Sequence, residues 1–196
     1  MLQKRYIGTF LILFTVLFSV SAQKAEREFI RKGNRAFKDS AFVDADVNYR
    51  KALEVNPKST ISMYNLGNTL VRQNKPKEAM EQYTAAAKIE KDKSKLAYIY
   101  HNMGDIFQSQ KDYAKAVEAY KESLRNNPKD NETRYNLALA QKLLNEQKQD
   151  QQNQDQNQQQ QKQDQQEDKQ EQNKDQQQNK DQQQPPQLQK KDNEMS

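Results

Sequence analysis

Four small residues, Gly33, Gly67, Gly104 and Ala138, follow one another at intervals of 34, 37 and 34 residues, and their surroundings recur with them. Twelve residues after each glycine stands Ala45, Ala79 or Ala116. Four further on comes Tyr49, Tyr83 or Tyr120, then Ala52, Ala86 or Ser123, and Pro57 and Pro128 close the first and third units. A period of this length is that of one supersecondary unit repeated. The residue types suit a pair of antiparallel helices. Small side chains stand where two backbones approach, the tyrosine fills the space beside them, and proline stops the second helix. One such pair has an apolar face that it cannot bury alone, so successive pairs must stack. The pattern predicts helices at about 26–39, 42–54, 60–73, 76–90, 94–109 and 112–125, with a last one from about Asn131 to Lys148.

"MYNLGNTLVRQNKPKEAMEQYTAAAKIE" and "YIYHNMGDIFQSQKDYAKAVEAYKESLRNNP" carry these positions most clearly, and they closely resemble the tetratricopeptide repeat family. The resemblance spans residues 26–148, with repeats at about 26–59, 60–93 and 97–130. It implies an all-α fold, a right-handed superhelical stack of three helix pairs closed by a capping helix over about 131–148. Three features depart from the family pattern. Lys32 stands where the family has leucine, and Asp46 replaces an apolar residue. Lys91 takes the place of the second closing proline, and three extra residues in "EKDKSKLAY" are expected to form a longer, helical join.

The ends differ in composition from this middle. Lys4 and Arg5 precede an apolar run from Ile7 to Val20 that ends in the small residues of "SVSA". This is the layout of a cleaved secretory signal over residues 1–22, giving a mature start at Gln23 and a periplasmic or exported protein. The alternative is an inner-membrane anchor formed by residues 7–20, although about 20 apolar residues are needed to span a bilayer. Residues 149–196 are almost wholly Gln, Asn, Asp, Lys and Glu, with two apolar residues, Leu188 and Met195. Such a tail cannot bury enough surface to offset the entropy of ordering, so it is expected to be disordered or a fluctuating helix continuing from the cap. Pro185 and Pro186 block helix there. The overall charge of +5 conceals opposed blocks: residues 23–149 hold 24 Lys and Arg against 17 Asp and Glu, residues 150–196 hold 6 against 10.

In the resembled family the first helix of each pair lines the concave side. Counting each glycine as position 8, position 5 is filled by Ile30, Tyr64, His101 and Tyr135, and position 6 by Arg31, Asn65, Asn102 and Asn136. Position 9 holds Asn34, Asn68, Asp105 and Leu139, and Tyr98 falls at position 2 of the third unit. Tyrosine rings beside side-chain amides suit an extended peptide, whose side chains pack on rings while its backbone bonds the amides. The candidate groove is therefore Tyr64, Asn65, Asn68, Tyr98, His101, Asn102, Tyr135 and Asn136. One subgroup of the family grips chaperone carboxylates with cations and asparagines. Asn34 and Asn65 match it, but Ile30, Tyr98 and Asn102 stand where its cations belong, which argues against that ligand.

Other functions lack the residues they need. There is no cysteine and only one histidine, so no thiol nucleophile, disulfide or metal site is expected. His101 with Asp105 one turn along lacks a nucleophile to complete a triad, and no glycine-rich phosphate loop occurs, so no enzyme, cofactor or small-molecule substrate is expected. The basic residues form no contiguous run, and no nucleic-acid partner is expected. The arrangement of signal, three repeats, the cap phrase "TRYNLALAQKLL" and a Gln-rich tail is similar to the exported member of the Bat (Bacteroides aerotolerance) family. That resemblance implies a non-catalytic scaffold in the bacterial cell envelope, assembling a complex with membrane-anchored von Willebrand factor A domain proteins and linked to aerotolerance or envelope stress. The competing reading is a structural envelope protein acting through its tail or by self-association.

Overall fold

The computed structural model describes residues 22–181, and the helices appear in the expected order. α1 covers residues 22–38. It is followed by α2 (Phe42–Val55), α3 (Thr60–Arg72), α4 (Pro76–Ile89), α5 (Lys93–Ser109), α6 (Tyr113–Asn126) and α7 (Asn131–Asp181). Pairs α1/α2, α3/α4 and α5/α6 are three successive repeats, and no strand occurs among the described residues. The expected signal or anchor in residues 1–22 lies outside the described residues, save for its last position.

The recurring residues do what their sizes require. Tyr49, Tyr83 and Tyr120 are buried, as are Ala45, Ala79, Ala116, Ala52, Ala86 and Ser123. Each tyrosine ring lies close against the glycine sixteen residues earlier: a Cβ added at Gly33 would fall 2.6 Å from a Tyr49 ring carbon, and one at Gly67 2.5 Å from Tyr83. Any larger residue there would push the two helices of a pair apart. Leu66, Leu70, Ile99 and Ile106 join the first two tyrosines in one continuous core, while Tyr120, Val117 and Ala140 form a second with Phe107, Leu137 and Leu144.

The turn inside each pair is the same three times over. Ser40, Asn74 and Lys111 sit in the left-handed region at φ of 59°, 59° and 61°. The amide after each bonds a carbonyl five residues back: Ala41 to Ala36, Lys75 to Leu70, Asp112 to Phe107. This is a Schellman-type helix stop, built here without glycine. Ser59, Asp92, Asp112 and Asp130 cap the starts of α3, α5, α6 and α7 by accepting from backbone N–H groups.

Two expectations need correction. The extra residues between the second and third repeats do not make a helical join. α4 stops at Ile89, Glu90–Asp92 are non-helical, and the inserted residues lengthen the start of α5 instead. The reason is capping: Asp92 accepts from the Lys95 amide, and Glu90 Oε1 accepts from the amides of Lys91 and Asp92, so the break is satisfied rather than helical. Of the two readings of the Gln-rich segment, disorder or a helix continuing from the cap, disorder is replaced over its first part by the helix, because α7 runs without a break to Asp181. Glutamine and lysine are good helix formers, and no proline intervenes before Pro185. The two departures in the first repeat are accommodated by charge pairing: Lys32 bonds Glu28 at 2.8 Å, and nearly buried Asp46 accepts from the Arg50 guanidinium. The chain divides after Leu144 into two units, the repeats with the start of α7, and Asn145 onward.

Candidate peptide-binding groove

The first helices α1, α3 and α5 are tied together by one hydrogen-bonding arrangement used three times. Asn34 Oδ1 accepts from the Tyr49 hydroxyl (2.7 Å) and from Asn65 Nδ2 of the next repeat (3.1 Å). Asn68 Oδ1 accepts from Tyr83 (2.5 Å) and from Asn102 Nδ2 (2.8 Å). Asp105 Oδ1 accepts from Tyr120 (2.7 Å) and from Asn136 Nδ2 of α7 (3.4 Å). Each buried phenol thus has the partner that burial demands. Each first helix is held in register with the following one. Sequence reasoning read these asparagines as ready for a ligand and missed that their Nδ2 groups already bind the neighbouring repeat. The signal was present, since an Asn or Asp precedes each tyrosine by fifteen residues.

Burial raises the phenol pKa of all three tyrosines, to about 12 for Tyr49. Tyr120 is raised further by its bond to Asp105, which opposes a second negative charge.

The predicted groove residues separate into two kinds. Tyr64 and His101 are half-buried, and each packs on the tyrosine of its own pair, Tyr64 6.0 Å from Tyr83 and His101 5.9 Å from Tyr120 between ring centroids. His101 also fastens the cap. Thr133 donates its hydroxyl to Asp130 (2.8 Å), so it accepts from His101 Nδ1 (2.6 Å), while Nε2 lies 3.4 Å from Asp105 Oδ2. Tyr98 and Tyr135 are the exposed aromatic groups, at 56% and 70%. Of the exposed aliphatic residues, Ile61 and Val71, which sequence reasoning did not single out, also stand on a first helix, whereas Val43, Val47 and Ile89 are exposed on second helices. Tyr64, Asn68 and Asn102 are brought together, Asn102 Nδ2 also lying 3.3 Å from the hydroxyls of Tyr64 and Tyr83. Asn65 and Asn136 sit one repeat before and after, and Tyr135 is not in contact with Tyr64 or His101 through any ring pair among the described residues.

Two hollows open along these helices. The larger, about 620 Å³, is lined by Phe37 of α1, Asn68, Val71 and Arg72 of α3, and Asn102 and Asp105 of α5. The smaller, about 160 Å³, lies between α3 and α5, with Ile61, Tyr64, Tyr98 and Ile99 as its walls. No group of three or more His, Asp or Glu placed to hold a metal exists among the described residues, and none of their helices is long and apolar enough to cross a membrane.

Two family models described as tetratricopeptide repeat match the chain, at residues 97–130 and 48–81. The chain is a tetratricopeptide repeat protein. The first match covers most of α5 and all of α6, whereas the second runs from within α2 to within α4, out of phase with the helix pairs. Solved tetratricopeptide domains share the fold. The first such domain of Spaghetti (RPAP3), bound to an HSP90 peptide, is 20% identical with a TM-score of 0.58, covering 62% of this chain and 94% of that one. The N-terminal domain of stress-induced protein-1 from C. elegans is 24% identical with a TM-score of 0.57, covering 61% and 97%. The Sgt2 domain from Aspergillus fumigatus is 19% identical with a TM-score of 0.58, covering 63% and 82%. No curated protein matches this tetratricopeptide repeat protein.

Proposed function

We propose that the protein is a non-catalytic scaffold that holds an extended segment of a partner protein along α1, α3, α5 and the start of α7. The observation that carries this reading is that Ile61, Val71, Tyr98 and Tyr135 are exposed apolar groups on these helices, Ile61 and Tyr98 as walls of the smaller hollow and Val71 of the larger. Exposed tyrosines flanked by side-chain hydrogen-bonding groups suit peptide capture, since rings give contact area at low entropic cost. A solved domain of the same fold bound to an HSP90 peptide supports a peptide as the ligand class. That particular ligand is disfavoured by Ile30, Tyr98 and Asn102, which stand where cations would be needed for its carboxylates.

The finer part of the reading is a location in the bacterial cell envelope and a role in a Bat-type complex with von Willebrand factor A domain proteins, linked to aerotolerance. Its support is the basic, apolar, then small-residue layout of residues 1–22, and the arrangement of repeats, cap and Gln-rich segment. An intact-mass measurement giving a chain that starts at Gln23 supports export, and retention of residues 1–22 supports an anchor. The groove itself is tested by changing Tyr98 and Tyr135 together to alanine. Both are exposed, so the fold should hold while partner capture weakens by at least about 2 kcal/mol, the scale of an interface hot spot. Capture that persists in the folded double variant, and is lost on removing residues 149–196, would favour the alternative of a structural envelope protein acting through its tail.

A further inference from the structure

The insertion between the second and third repeats builds something that the other repeat junctions lack. α3 begins seven residues before Gly67, whereas α5 begins eleven before Gly104, so α5 carries an extra turn at its start. That turn sets Lys95 at the lip of the smaller hollow, opposite Thr60 and beside Glu90. The walls are the isoleucines and tyrosines of α3 and α5. A dry apolar cavity of about 150 Å³ is known to hold a group the size of benzene, so 160 Å³ takes one branched aliphatic side chain.

The charges around the lip are unbalanced in their availability. Glu90 is fully engaged: Oε2 accepts from Thr60 Oγ1 (2.5 Å), and Oε1 accepts from the amides of Lys91 and Asp92 (2.8 and 2.9 Å). Burial would raise its pKa, but these bonds and the nearby Lys95 outweigh it and hold the carboxyl below its ordinary range. Asp92 is committed to the α5 cap at 3.1 Å. The lysines have no comparable partners. Lys95 reaches Glu90 only at 4.0 Å, and Lys91 and Lys93 form no ion pair among the described residues. The carboxylates are held by backbone amides and the Thr60 hydroxyl, while Lys91, Lys93 and Lys95 are exposed.

We infer that this hollow is an anchor pocket for one aliphatic side chain of a partner segment, with an acidic residue beside it that meets Lys95. The inference rests on the groove reading and narrows it, naming the residue chemistry the groove selects. Apolar burial supplies affinity and the lysines supply charge selection and a salt-dependent association rate.

The full chain, labelled at isoleucine methyl groups, is titrated by NMR with the hexapeptide acetyl-Gly-Ser-Leu-Asp-Gly-Ser-amide. Saturable shifts of the Ile61 and Ile99 methyl signals are expected. The same peptide with alanine for leucine should bind at least tenfold more weakly. Lys95→Glu should weaken the leucine–aspartate peptide at least tenfold and bind the leucine–lysine version better than the unaltered chain does. Lys95 is half exposed and outside the core, so this variant keeps the fold, and the unchanged dispersion of the remaining methyl signals verifies it. Absence of saturable shifts, equal binding of the alanine peptide, or indifference to Lys95→Glu overturns the inference. The groove reading fails separately, through partner capture that survives loss of Tyr98 and Tyr135. Capture that depends on those tyrosines but ignores Lys95→Glu leaves the groove standing without its anchor pocket.

Discussion

Residues 22–144 and residues 145–181 are both helical, but for opposite reasons. In the repeats the helices are amphipathic and short, and each of α2 to α6 has a tyrosine, an alanine or a leucine driven to near-zero exposure. Isolated helices of 13 or 14 residues, the length of α2, α3, α4 and α6, are marginal in water, so their order comes from packing. From Asn145 to Asp181 there is no apolar residue at all. Helix there rests on the intrinsic preference of glutamine, lysine and glutamate and on unbroken length, 51 residues for α7 as a whole. One region folds because it has something to hide, the other because good helix formers outnumber its Asn and Asp residues and no Gly or Pro interrupts it. The two should therefore respond differently to every perturbation that acts on burial.

The largest expected difference comes from a core tyrosine. Tyr83→Ala removes a fully buried ring and both its close packing on Gly67 and its bond to Asn68, and should cost about 3–5 kcal/mol. Gln160→Ala, in α7, should change stability by a few tenths of a kcal/mol at most. Chemical denaturation followed by circular dichroism compares them. A cost below about 1 kcal/mol for Tyr83→Ala would mean that the repeats are not held by these rings.

Alkali separates the regions next. The buried tyrosines have raised folded-state pKa values, about 12 for Tyr49 against 10 unfolded, so their neutral form favours the folded chain. That stability is complete below pH 10 and is lost as pH rises through the folded values, about 2–3 kcal/mol from Tyr49 alone by pH 12. Residues 145–181 contain no tyrosine and feel none of this. The denaturation midpoint should fall steeply above pH 10, with ultraviolet absorbance at the phenolate band rising in the same transition. A midpoint that is flat to pH 12 would contradict the burial of these phenols. In Asp105→Asn, Tyr120 should ionise at lower pH than in the parent, because one of the groups opposing its charge is gone.

The same contrast explains what could be read in advance. Helix ends in the repeats were legible to within a few residues because Gly67, Tyr83 and Ala86 each have one physical job, and their spacing states it. α1–α6 and the start of α7 follow. The end of α7 was not legible, since "disordered" and "helical" compositions overlap when a segment has good helix formers and nothing to bury. In the groove, geometry adds ties to what residue type suggested: Asn65, Asn102 and Asn136 are polar and face first helices, and each donates from its amide to the preceding repeat. Hydrogen-bond partners one repeat away are invisible to periodicity, which lists equivalent positions without saying which of them touch. Ile61 and Val71 were overlooked for a related reason. An aliphatic residue on an amphipathic helix reads as core until its exposure is measured.

The ties themselves give the next effect. Asn68→Ala removes the acceptor shared by Tyr83 and Asn102 and leaves the buried Tyr83 O–H without its acceptor, for about 1–3 kcal/mol. Asn68→Asp keeps an acceptor in place, as Asp105 does naturally in the third repeat, and should recover most of the loss at neutral pH. If aspartate is no better than alanine, the bond from Tyr83 is not what the position contributes.

The smallest expected effect is on the repeats when residues 149–196 are deleted. The last apolar residue that packs into the second core is Leu144, and the cap's other links, His101 to Thr133 and Asn136 to Asp105, lie well before the cut. No apolar residue stands between Asn145 and Asp181. The thermal midpoint of the cooperative transition should therefore move by less than about 2 °C, where a loss of 1 kcal/mol would move a domain of this size by about 4 °C. Far-ultraviolet helicity should fall at the same time, because the deleted helix contributes signal without cooperativity, and the gradual pre-transition slope that a packing-free helix produces on heating should disappear with it. A drop in the midpoint of several degrees would show that the polar helix stabilises the repeats after all. It would do so through charge or side-chain hydrogen bonds, since burial is not open to it, and high salt would then tell these two apart by weakening only the first.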